Sequence, residues 1–139
     1  MGTNIRAALS PNNKYWIDKH RYYELKHFCL QYKDWKRAYA MYNETLVGSP
    51  VLKEYIDENV KIDFTSKKAI EMAAYSKRIN LIEQTAIEAD PYLSDYILKG
   101  VTEGVSYTYL KTKLEIPCGR DMYYDRYRRF FWLLSKSRD

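Results

Sequence analysis

From Leu25 the apolar positions run Leu25, Phe28, Tyr32, Trp35, Tyr39, Tyr42 and Leu46, in alternating steps of three and four. Steps of that size return to one side of an α-helix, so the stretch predicts a long helix with a heptad-like, unusually aromatic seam. Such a seam suits packing against other helices of the same chain, because dimeric coiled-coil seams favour Leu, Ile and Val. Gly48-Ser49-Pro50 predicts a turn, Val51–Phe64 a shorter helix, and Asp63–Ser66 an irregular corner. Thr65 then stands where it can cap a second long helix, striped by Met72, Tyr75, Ile79, Ile82, Ala86 and Ala89 and ending near Asp90. Asp90-Pro91 opens a further helix, Pro91–Lys99, since Asp accepts from orphan amides and proline suits a first turn. Gly100 and Gly104 bracket its end. Residues 1–13 have no periodicity and finish in the turn-prone Ser10-Pro11-Asn12-Asn13, so they read as a flexible leader.

The last 35 residues change character. Ser106 is placed to cap a short helix in which Leu110 and Leu114 lie four apart, and Ile116-Pro117-Cys118-Gly119 breaks it after Leu114. A longer helix follows from about Arg120 to Lys136, with Tyr123, Tyr127, Phe130, Phe131 and Leu134 as its buried stripe. Short helix, tight break and longer helix make the outline of a helix-turn-helix. The expected fold is therefore all-α. Residues 14–104 form a scaffold with long N-terminal helices, and residues 105–139 form a C-terminal helix-turn-helix packed with it as one compact domain.

Composition agrees with a folded chain. Of the 139 residues 46% are apolar and 29% charged, and the 16% that are aromatic include fifteen tyrosines. A chain of this length buries roughly two-thirds of its unfolded surface without metals or disulfides. Five glycines and four prolines are too few for the frequent turns of a sandwich or barrel. Cys29 and Cys118 fall in no CxxC spacing, which argues against a zinc knuckle or disulfide framework and suits a reducing cytoplasm. No apolar run approaches the roughly 18 residues of a membrane span, and the start lacks the order of a signal peptide, so no membrane partner is expected.

Charge is segregated along the chain. Residues 1–42 carry eight basic and three acidic groups, residues 43–104 seven and eleven, and residues 105–139 eight and four. Basic ends suit phosphate neutralisation by Lys and Arg. In the last helix Arg120, Asp121, Tyr124, Asp125 and Arg128 are expected to face outward over the first turns, where a recognition helix meets base edges. Arg pairs with guanine, and Asp accepts from cytosine or orients an Arg. Arg126, Arg129, Lys136 and Arg138 continue the positive surface and suit phosphate contacts, with Thr108, Lys111 and Lys113 on the preceding helix touching the backbone on entry. The competing structural reading makes the Arg and Asp side chains, such as Asp125 with Arg129, solvated pairs on an exposed helix.

Two stretches, NKYWIDKHRYYELKHFCLQYKDWKRAY and IEADPYLSDYILKGVTEGVSYTYLKTKLEIPCGRDMYYDRYRRFFWLLS, carry a family likeness. The chain resembles small phage and prophage transcription regulators of the RinA/ArpU type, whose C-terminal helix-turn-helix is similar to that of region four of primary sigma factors. The resemblance covers Asp90–Leu134 most firmly and Met1–Asn13 and Glu44–Thr65 loosely. It implies regulation of phage late genes in the host cytoplasm, at the nucleoid. Duplex DNA is the partner it implies, with host RNA polymerase and a second copy of the chain as further candidates. Tyr107–Leu114 would be the supporting helix, with Leu114-Glu115-Ile116 where such motifs often read Leu-Gly-Ile, and Arg120–Arg129 would supply DNA contacts. Glu115 in place of the turn glycine and Pro117-Cys118-Gly119, which lengthens the turn, depart from that pattern.

Other chemistry finds little footing. His20 and His27 lie two helical turns apart, roughly 10 Å, too far for one metal ion. No phosphate loop, HExxH or GxSxG appears, so neither an enzyme nor a cofactor is expected. The alternative function is a phage-encoded protein-interaction module, such as an inhibitor of a host nucleic-acid enzyme. Tyr124, Arg128 and Trp132 would then be the interface anchors.

Overall fold

The structure, a computed structural model, describes residues 11–48 and 58–138, and of residues 45–48 and 58–65 only the helical backbone. The expectations for residues 1–10, for Ser49-Pro50 and for residues 51–57 lie outside the described residues. Among those described there are six α-helices and no strand: α1 Lys19–Leu30, α2 Tyr32–Gly48, α3 Glu58–Ala89, α4 Ser94–Glu103, α5 Tyr107–Leu114 and α6 Arg120–Ser137. The all-α expectation holds. None of these helices is long and apolar enough to cross a membrane.

Several boundaries differ from the sequence reading. The helix expected over Pro91–Lys99 spans Ser94–Glu103, after a turn at 91–93 and with Gly100 inside it, because Gly104 and not Gly100 takes the left-handed C-cap. The first helix opens at Lys19, ahead of the seam's first position at Leu25 and behind Asp18, whose carboxylate accepts from the His20 amide at 3.0 Å. The expected single long helix is interrupted at Gln31, whose amide turns back to the Phe28 carbonyl at 3.2 Å, a tighter bond than the α-helical ladder. The corner at Asp63–Ser66 does not form, and Thr65 lies inside α3 rather than capping it. Residues 58–66 contain neither Gly nor Pro, and β-branched residues cost a helix only tenths of a kcal/mol each, so nothing local stops the helix there.

The chain packs as two units: residues up to Gln31 with Leu81 onward, and Tyr32–Asn80. The expected 14–104 scaffold is thus divided between them, and the residues of both long stripes are shared out. In the Tyr32–Asn80 unit Tyr32, Trp35, Met72 and Ile79 are buried. Trp35 stacks on Tyr75, and the Arg78 guanidinium lies over both rings at 5.4 and 5.7 Å.

In the other unit α1 packs on α4 and α6, and α4 packs on α5 and α6. Leu25, Ile82, Ile97, Leu110, Phe130, Phe131 and Leu134 are fully enclosed there. Rings meet edge to face, as their quadrupoles favour: Tyr22 on Phe131 at 5.1 Å and Phe130 on Phe131 at 5.0 Å. The phenols of Tyr22 and Tyr127 satisfy one another at 3.1 Å. Arg21 fastens the end of α6 to α1, its Nε donating to Ser135 Oγ at 3.2 Å and its Nη2 to the Ser135 carbonyl at 3.0 Å.

Candidate nucleic-acid interface

Local signals build the C-terminal pair of helices. Ser106 accepts from the Tyr109 amide at 3.2 Å and so caps α5, as its position predicts. At the other end Glu115 adopts φ 54°, ψ 44°, and the amides of Glu115 and Ile116 both turn back to the Leu110 carbonyl. This left-handed residue reverses the chain and drops Ile116, 1% exposed, into the core. The Tyr107 phenol donates to the Cys118 carbonyl at 2.7 Å and holds the turn against the start of α5. The turn spans residues 115–119, and α6 starts at Arg120.

Tyr123, Tyr127, Phe130, Phe131 and Leu134 are all buried, so the stripe assigned to α6 is the one it buries. That register has a consequence for the residues between them. Arg120 shares the face of Tyr123 and Tyr127, three and seven residues on, and reaches solvent only because it precedes the core. Its guanidinium lies over the rings of Tyr107 and Tyr124 at 5.4 and 5.9 Å, and Nη2 donates to Thr108 Oγ1 at 3.4 Å. Tyr124 does not face outward as expected. It is half-buried, and its hydroxyl accepts from the Tyr107 amide at 3.4 Å, one of the amides a helix start leaves orphaned.

The other expected contact residues divide by exposure. Thr108, Lys111, Lys113, Arg120 and Asp121 are exposed, while Asp125, Arg126, Arg128 and Arg129 are half-buried. Arg126 is bound between carboxylates: its Nε donates to Asp90 Oδ2 at 3.0 Å and its Nη1 to Asp125. Those bonds, Asp90 foremost, push the Arg126 pKa up. Asp125 therefore pairs with Arg126 and not with Arg129, which donates to the Tyr15 phenol at 3.4 Å. Arg128 buries its Nε with no hydrogen-bond partner among the described residues. Lys136 sits over the Trp132 ring, and Arg138 over Phe28 and near Glu24. Much of the basic C-terminal surface is thus already engaged by this chain's own groups.

The structure brings Thr108 and Arg120 together and leaves Lys111 and Lys113 open beside the same turn. Partial burial and nearby Asp90 hold the Cys118 thiol above its ordinary pKa. Among the described residues no group of three or more His, Cys, Asp or Glu could hold a metal ion. Sequence reasoning missed a second constellation, a cleft of about 420 Å³ lined by Tyr15, Asp90, Tyr92, Arg126 and Arg129 among others. Asp90 was legible as a capping residue, although it caps the 91–93 turn and the helix opens at Ser94. No local pattern announces that Asp90 meets Arg126 thirty-six positions on. Comparison of the chain with family models, curated proteins and solved structures found no match.

Proposed function

We propose that this chain binds double-stranded DNA through α5, the 115–119 turn and the first turn of α6. One observation carries the reading: Thr108, Lys111, Lys113 and Arg120 are exposed around one turn, whose inner side chains Tyr107, Leu110, Ile116 and Tyr123 are locked in the core. A rigid platform that presents cations and a hydroxyl suits phosphate contact, and Arg120, braced by two rings and Thr108, is its base-reading candidate. Control of phage late genes, with host polymerase or a second copy as further partners, is the fuller form of this proposal. It is supported by the likeness of the two quoted stretches to RinA/ArpU-type regulators.

Fluorescence anisotropy of labelled duplexes across a salt series tests it. Two lysine–phosphate contacts predict log affinity falling against log salt with a slope of about −2, and Lys111→Ala or Lys113→Ala should each lower that slope by about 1. Arg120→Ala should weaken binding and relax sequence preference at one position. Absence of duplex affinity at about 50 mM salt defeats the reading.

A further inference from the structure

The cleft beside the middle of α6 shares no residue with the exposed set at the turn. It is an open depression of about 420 Å³. Tyr92 stands on its rim 92% exposed, on a corner made rigid because Asp90 Oδ1 accepts from the amides of Tyr92 and Leu93 at 2.9 and 3.1 Å. Asp90 Oδ2 holds Arg126 in the wall. Arg129, also in the wall, spends one donor on the Tyr15 phenol, and its other donors meet no acceptor among the described residues. A guanidinium carries five N–H donors in a fork that matches a carboxylate.

We propose that this cleft docks an acidic peptide segment of another protein, one carboxylate on Arg129 with a neighbouring apolar side chain against Tyr92. Tyr and Arg are the side chains over-represented where binding energy concentrates. Charge decides between a peptide and a nucleic-acid strand. Glu88 and Asp90 line the same cleft, and Asp125 flanks it through Arg126. One carboxylate fits against Arg129 alone, whereas a nucleic-acid strand carries a phosphate at every nucleotide and would set some beside those acids. The proposal stands apart from the duplex reading.

Selection of random displayed peptides on the full chain, with a Tyr92→Ala/Arg129→Ala variant as counter-selection, tests it. Enriched peptides should carry Asp or Glu beside Leu, Ile, Phe or Trp. A synthetic peptide of that sequence should lose about tenfold in affinity on Tyr92→Ala, on Arg129→Ala, or when its own acid becomes the amide. Tyr92 is too exposed for its loss to unfold the chain, so that variant decides the matter even if Arg129→Ala loosens Tyr15. Lys111→Ala/Lys113→Ala should leave peptide affinity within about twofold, and Tyr92→Ala should leave duplex affinity unchanged. Three results overturn the proposal: no enrichment over the counter-selection, binding indifferent to Tyr92, or displacement of the peptide by single-stranded oligothymidine.

Discussion

The Tyr123 hydroxyl lies so close above Gly100 that a β-carbon on that glycine would stand 2.0 Å from the phenolic oxygen. The same hydroxyl is buried without a hydrogen-bond partner among the described residues, and burial raises its pKa. Gly100 is thus required by space, inside a helix where alanine would otherwise be favoured by about 1 kcal/mol. Gly100→Ala should cost about 1–3 kcal/mol through overpacking. Tyr123→Phe should be neutral or slightly stabilising, since it removes an unsatisfied polar atom. In the double variant the new methyl meets ring carbon Cζ at 3.4 Å, ordinary contact, and the helix gain should emerge. Urea midpoints of the four proteins check this, and additive effects would contradict it.

Asp90 serves two ends at once, capping the 91–93 turn with one oxygen and holding Arg126 with the other, while its side chain is only 9% exposed. Asp90→Ala should therefore cost about 2.5–4 kcal/mol, a cap of about 1 plus a charge-assisted bond of about 1.5–3. Asp90→Asn keeps an oxygen for the amides and should cost less than the alanine. Thermal melts would show the order, and equal losses would argue that only the ion pair matters.

Glu115 occupies the left-handed region, where a side chain with a β-carbon is disfavoured by roughly 1–2 kcal/mol. Glycine relieves that strain but loses more chain entropy on folding, about 0.5–1 kcal/mol. Glu115→Gly should raise stability by about 0.5–1 kcal/mol, and Glu115→Val should lower it. Duplex affinity at low salt should also rise slightly with Glu115→Gly, because an exposed acid in the turn is removed.

Burial raises the pKa of Tyr22, Tyr123 and Tyr127 above the ordinary 10.0. Their protonated forms are thus favoured by the fold, and the unfolded chain releases these protons first as pH rises past 10.0. The stability they contribute is fully present below that pH and declines above it, by up to about 1.4 kcal/mol per group per pH unit. Urea midpoints should therefore be level in this respect below pH 10.0 and fall above it, more gently in Tyr127→Phe. A flat profile above that pH would contradict the burial of these phenols.

The sequence alone determined the helical class and the borders of the C-terminal pair. Ser106, the Pro117 break and the stripe from Tyr123 to Leu134 act through bonds and spacings of three or four residues, so a local pattern shows them. It also marked Asp90 as a capping residue. Tertiary structure alone decided which cations remain for a partner. Arg126 is taken by Asp90, 36 positions earlier, whereas Arg129 spends one donor on Tyr15, 114 earlier, and keeps the others, pairings that depend on which elements meet. The same holds for the aromatic seam, regular across Gln31 yet divided between two units there. Periodicity says which face a helix buries, and only the packed chain says against what.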